Sequence, residues 1–195
     1  TENSDRAFEE EVMLSGFGTA QTKAEGQGVS FDDAQETFTS RYQHETIALA
    51  FAITEEAIED NLYDRLASRY TKALARSMAN TKQVKAANVL NNAFDATVNE
   101  TSLEQSMIDI AALTDERGMK IAARGVKMII PSELQFTAER LMKSQGRTGT
   151  ADNDINALAN MGMLPQGYVI NHFLTDTDAF FIKTDVPNGM KMFVR

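Results

Sequence analysis

Large apolar side chains occupy alternate positions between Ile47 and Ile53: Ile47, Leu49, Phe51 and Ile53, with Ala48, Ala50 and Ala52 between them. A period of two predicts a strand, here with a second face of alanine small enough for close packing. At Thr54 the period changes. Thr54 is a candidate N-cap, and Glu55, Glu56, Glu59 and Asp60 crowd the first turns, where the helix dipole favours negative charge. Tyr63, Leu66, Tyr70, Leu74, Ser77, Thr81 and Val84 then follow in steps of three and four, one apolar stripe. Helix from Thr54 to about Asn92 would span roughly 58 Å, against an average helix of about 11–12 residues. In a chain of 195 residues such a helix cannot be wrapped by its own domain. It has to lie across a sheet as a spine, or be covered by another subunit.

Glycine and proline, the main breakers of regular structure, bracket that region. Gly16, Gly18, Gly26 and Gly28 fall early, residues 29–117 contain no glycine, and Pro131, Pro165 and Pro187 come late. Long elements are therefore expected in the middle and loops at the ends. From Gly16 to Thr39 the chain is Gly, Gln, Ser, Thr and Asp with few apolar anchors, which predicts a long projecting loop or hairpin. Further on, Thr101-Ser102-Leu103-Glu104 reads as a capping box opening a helix with Leu103, Met107, Ile110 and Leu113 on its apolar face. Lys127-Met128-Ile129-Ile130 is a short apolar run stopped by Pro131. A second capping box, Ser132-Glu133-Leu134-Gln135, then starts a helix through Ala138 and Leu141. That strand–turn–helix unit makes the second half mixed α and β. Near the end, Asn188-Gly189 between Phe180–Thr184 and Met190–Val194 predicts a hairpin. No 20–50-residue period repeats, so a solenoid is not expected.

Composition narrows the chemistry. The formal net charge of −9 disfavours general nucleic-acid binding. Without cysteine there is no disulfide, thiolate metal site or thiol nucleophile, and two histidines fall short of a three-histidine metal site. No apolar run approaches the roughly 18 residues of a membrane helix. The first residue, Thr1, is not Met and is expected from processing or truncation. At this length a compact domain would bury roughly 70% of its unfolded surface. Ten Met and eleven Phe without Trp suit adaptable packing, mostly as core.

Motifs for catalysis are missing: no phosphate loop, dinucleotide fingerprint or nucleophile elbow occurs. Asp152-Asn153-Asp154-Ile155-Asn156 matches the opening of a calcium loop. The sixth position, however, is Ala157 and the twelfth Met163, where Gly and Glu are needed. The run reads as a turn capping a helix. His44 and His172 have no orienting partner in sequence and read as partly exposed or interface histidines. With 28 acidic residues, a hydrolytic carboxylate pair cannot be singled out. Arg65, Arg69, Lys72 and Arg76 fall on one ridge of the long helix, away from its apolar stripe. The ridge suits DNA phosphates or a neighbour's acidic residues, or it is a solvated face. The helix's acidic start makes head-to-tail pairing between copies the better functional reading.

Four collinear blocks carry a resemblance: Ile53–Tyr63, Lys127–Leu134, Gly149–Asn156, and Leu174–Phe181 with Val186–Lys191. Together they resemble the major capsid proteins of tailed bacteriophages, over about Glu10 to Arg195. The resemblance implies an α+β, Hong Kong 97-type capsid fold with an N-terminal arm, an E-loop hairpin, a long spine helix in a peripheral domain and a mixed α/β axial domain. Residues 1–53 would be arm and E-loop, 54–100 the peripheral domain and 101–195 the axial domain. The implied protein is no enzyme, needs no cofactor, and self-assembles in the host cytoplasm into hexamers and pentamers of a virion shell. Portal, scaffold and decoration proteins would be its other partners, and packaged double-stranded DNA would be enclosed without sequence-specific binding. Interface candidates are Gly16, Phe17 and Gly18 at the E-loop base, the Arg65, Arg69, Lys72 and Arg76 ridge, and Asn153, Asp154, Asn156 and Asn160 toward the capsomer axis. The alternative is an encapsulin-type shell enclosing cargo enzymes. Relatives carry an insert between the counterparts of Phe94 and Asp95 and a strand beyond that of Arg195, so both are expected to be missing from this sequence.

Overall fold

In a computed structural model the structure describes residues 2–59, 66–93, 97–147, 154–187 and 189–194. The elements run β1 (Glu2–Asn3), β2 (Phe8–Leu14), β3 (Glu36–Gln43), α1 (Glu55–Glu59), α2 (Leu66–Asn91), α3 (Glu100–Ala112), β4 (Gly125–Ile130), α4 (Gln135–Lys143), α5 (Ala157–Met161), β5 (Tyr168–Ile170), β6 (Phe181–Thr184) and β7 (Phe193–Val194). Helices and strands mix along the chain, in keeping with an α+β class.

The core gathers on one face of a three-stranded sheet ordered β5-β4-β6. β4 pairs parallel with β5 and antiparallel with β6. The parallel pairing requires a crossover, and α4 and α5 supply it. Side chains alternate along a strand, so Met128 and Ile130 share a face. Both are fully buried, in one cluster with Leu103 and Met107 of α3, Ala138 and Leu141 of α4, Leu158, Leu164, Val98 and Phe180. Each large member contributes about 1.5–3 kcal/mol of burial. Gly125 admits α3 at close range: a Cβ there would lie 2.9 Å from Met107 Sδ and 3.2 Å from Ile182 Cγ2. α5 ends on Gly162 in the left-handed region (φ 60°), the usual helix stop.

β2 and β3 form an antiparallel hairpin, Phe8 opposite Gln43 and Val12 opposite Thr39, joined by residues 15–35. This is the projecting hairpin expected from the Gly-rich stretch. Of its strand residues, only Glu9, Glu11 and Ser40 are even half-buried. Of the long helix expected from Thr54 to about Asn92, the structure shows α1 and α2; residues 60–65, with Tyr63 and Arg65, lie outside the described residues. α2 alone has 26 residues, roughly 39 Å. Among its described side chains only Ala87 is buried, with Leu74, Met78, Thr81, Leu90 and Asn91 half-covered. Tyr70, Ser77 and Val84, expected on the buried stripe, are exposed.

Several expectations are overturned. Residues 47–53 form no strand; alternation supplies a strand's faces but not its hydrogen-bonding neighbour, and none is present among the described residues. Asn99, not Thr101, caps α3: its side chain accepts from Ser102 N at 2.7 Å, while Ser102 Oγ accepts from Asn99 N at 3.0 Å. A capping box does form, two residues early. Ser132 makes no box either; a 3₁₀ turn, Ser132–Leu134, follows Pro131 without a side-chain cap. Asn188 lies outside the described residues, and among those described the strands flanking it do not pair with each other: β6 pairs with β4, and β7 pairs parallel with β1, Glu2 opposite Phe193. Met and Phe are not mostly core: among the described residues only Met107, Met128 and Phe180 are buried. Finally, the chain exposes 15,034 Å². A compact monomer of this size exposes roughly 9,200 Å² and its unfolded chain roughly 31,000 Å². Burial therefore reaches about half, not 70%.

Candidate assembly surfaces

The uncovered surface is concentrated on the hairpin and α2. On the hairpin, opposed residues share a face. Phe8, Glu10, Val12, Thr39 and Arg41 lie on one, where the Arg41 guanidinium sits 3.7 Å above the Phe8 ring and pairs with Glu10 at 3.7 Å. Glu9, Glu11, Met13, Phe38 and Tyr42 lie on the other. The base of that second face is pinned to the C-terminal segment. Lys191 Nζ donates to Glu11 Oε1 at 2.5 Å, and the Tyr42 and Phe193 rings lie 5.8 Å apart. Met13 and Phe38 remain exposed further out.

The joining loop is held at two points. At its base, Ser15 N donates to Gln35 O at 2.8 Å, and Gln35 N to Ser15 Oγ at 3.1 Å. Three residues further in, Gly18 N donates to Asp32 Oδ2 at 2.6 Å, and Arg117 Nη1 approaches both Asp32 oxygens at 2.9 and 3.1 Å. Arg117 Nη2 also donates to Asp33 O at 2.8 Å. The Gly18 amide, then the Arg117 guanidinium, holds the Asp32 carboxyl below its ordinary value. Gly16 and Phe17 are exposed and Gly18 is half-buried. Asp32 and Arg117, 85 positions apart, have no local pattern linking them and were missed in the sequence.

Arg69, Lys72 and Arg76 are all exposed on α2, and Lys72 and Arg76 flank a shallow hollow that Phe173 also lines. Arg65 lies outside the described residues. So does Asn153. Asp154 is exposed, and its carbonyl accepts from Arg147 N at 2.9 Å. Asn156 is 3% exposed and spent within the chain: Nδ2 donates to Leu141 O at 2.7 Å and Oδ1 caps Ala159 N at 3.2 Å. Asn156, the last residue of the run, thus caps a helix, while Asp152 and Asn153 lie outside the described residues. Asn160 is exposed on α5.

Chemistry finds little footing. His44 Nε2 lies 3.0 Å from Ser4 Oγ, which donates to Glu9 at 2.6 Å, and His172 Nδ1 lies 3.3 Å from Ser132 Oγ. Among the described residues no three His, Asp or Glu side chains are grouped to hold a metal ion, and no helix is long and apolar enough to cross a membrane.

No curated protein and no solved structure matches this chain. A family model does: the one described as phage capsid protein matches residues 36–194, from β3 to β7. That match covers most of the chain and carries with it a capsid role, a virion location and assembly into a shell. This chain belongs to the phage capsid protein family.

Proposed function

We propose that the chain is the major capsid protein of a tailed double-stranded DNA bacteriophage, built on a Hong Kong 97-type fold. It assembles without catalysis into the hexamers and pentamers of an icosahedral head. In this reading residues 1–53 are arm and E-loop, 54–100 the peripheral domain and 101–195 the axial domain. Gly16, Phe17 and Gly18 are interface residues at the E-loop base, Arg65, Arg69, Lys72 and Arg76 serve lateral contacts, and Asn153, Asp154, Asn156 and Asn160 lie in the region toward the capsomer axis. Portal, scaffold and decoration proteins are its other partners, and the packaged DNA is enclosed rather than gripped, in keeping with a net charge of −9.

One observation carries the reading: a 26-residue helix and a two-stranded hairpin are left almost bare by their own chain. Apolar surface in contact with water favours association at about 25 cal/mol per Å², and a monomer seldom exposes so much of it without a partner. Copies that overlap hairpins and helices remove that surface and sum many weak contacts. Electron microscopy of the expressed protein tests the proposal. Closed shells or capsomers support it, and a monodisperse monomer at every concentration contradicts it. Shells filled with a companion enzyme instead of nucleic acid would favour the encapsulin-type alternative.

A further inference from the structure

We propose that β1 is a strap on β7 whose closure is decided by one buried hydroxyl, that of Ser4, with His44 fastening it as a hydrogen-bond donor through Nε2. The device belongs to the single chain and does not depend on assembly.

The strap is lightly held along its length. β1 is only 2 residues long, both exposed. It meets β7 where Glu2 N donates to Met192 O at 2.8 Å and Ser4 N to Val194 O at 2.9 Å. Residues 2–7 bury no apolar side chain, so polar contacts decide whether the strap is down. Of residues 2–14 Ser4 alone is buried, at 4% exposure.

A serine hydroxyl has one proton to give and two lone pairs to receive, and in Ser4 all three are used. An ionised carboxylate can only accept, so the bond to Glu9 Oε1 at 2.6 Å takes the Ser4 proton. Arg6 N, 3.3 Å away, donates to one lone pair. His44 Nε2, at 3.0 Å, faces the other, and there the ring has to supply the proton. The result is a relay from imidazole N–H through the hydroxyl to the carboxylate. Glu9 lies on β2 and His44 just past β3, on strands that pair at Phe8 and Gln43. The relay therefore fastens the strap to the hairpin. Its three groups act as a unit, since losing any one leaves another without its partner.

Amide exchange followed by NMR tests it, with Met128 N, bonded to Gly167 O beside the core sheet, as the control for global opening. Ser4→Ala and His44→Leu should each quicken exchange at positions 2 and 4 roughly tenfold. The two together should do no more than either alone, as coupled members of one network. His44→Gln, whose amide N–H can stand where Nε2 stands, should keep the unaltered rate. Equal loosening by His44→Gln and His44→Leu would show that donation is not what counts. No loosening in any variant would show that the strap is not fastened here. Either result overturns the proposal. Where a variant also quickens exchange at Met128, the unaltered protein decides alone: nitrogen NMR of the neutral His44 ring should find the proton on Nε2, and a proton on Nδ1 overturns the relay.

Discussion

Lys191 and Glu11 meet across 180 positions of chain, ammonium to carboxylate at 2.5 Å. The pair ties the hairpin to the segment leading into β7, beside Tyr42 on Phe193. The Glu11 carboxylate raises the lysine above its ordinary value of 10.5. A raised lysine lends stability below that ordinary value and loses it as pH climbs through the raised one. Lys191→Ala should speed amide exchange at β1 and β7 severalfold at neutral pH, measured by mass spectrometry. In the unaltered protein the same amides should stay protected until the solution is strongly alkaline.

Asn156 should matter to stability through both ends of its amide. Asn156→Ala removes the cap on Ala159 N and leaves Leu141 O without its donor, a loss of about 1–3 kcal/mol by chemical denaturation. Asn156→Asp keeps the cap but turns a carboxylate oxygen toward the Leu141 carbonyl. It should destabilise too, and more at neutral pH than in acid, where the carboxyl is protonated.

Glu139 accepts from Lys143 Nζ at 2.7 Å and from Tyr168 OH at 2.8 Å. Lys143, then Tyr168, lowers its carboxyl below the ordinary 4.5. Its contribution is complete above that ordinary value and disappears as pH falls through the lowered one. Glu139→Gln should therefore lower the melting temperature at pH 7 while flattening its decline in acid, read by calorimetry from pH 7 to pH 3.

The basic ridge of α2 offers a test of contacts between copies. Replacing Arg69, Lys72 and Arg76 together by Glu should raise the concentration needed for assembly by roughly tenfold while hardly shifting the subunit's melting, because exposed charges steer association far more than they hold a fold. Light scattering against concentration reads it.

What was legible in the sequence was what a short stretch decides by itself. Met128 and Ile130 ahead of Pro131 announced β4, Leu134, Ala138 and Leu141 announced the helix behind it, and the acidic start after Thr54 announced α1. The Gly-rich opening announced the hairpin. The failures concern partners. Ile47 to Ile53 has the alternation of a strand, but no neighbour completes it. Asn188-Gly189 has the chemistry of a tight turn, but β7 pairs with Glu2 and Asn3 at the other end of the chain. Asn99 displaced Thr101 as cap because Thr97 O also accepts from Ser102 Oγ at 2.7 Å, fixing the earlier entry. Of the candidate surface, the α2 ridge is read from local spacing and Phe17 from the family resemblance, whereas the meeting of Arg117 with Asp32 depends on the tertiary fold alone.

Side-chain footprinting by hydroxyl radicals, run on the free subunit and on the assembled particle, tests most directly whether copies of this chain shelter one another. Phe31, Phe38 and Tyr70 all face solvent in the single chain. Their oxidation should fall severalfold on assembly, while that of buried Met128 stays low in both states. Equal oxidation of the three aromatic residues before and after assembly would contradict the account.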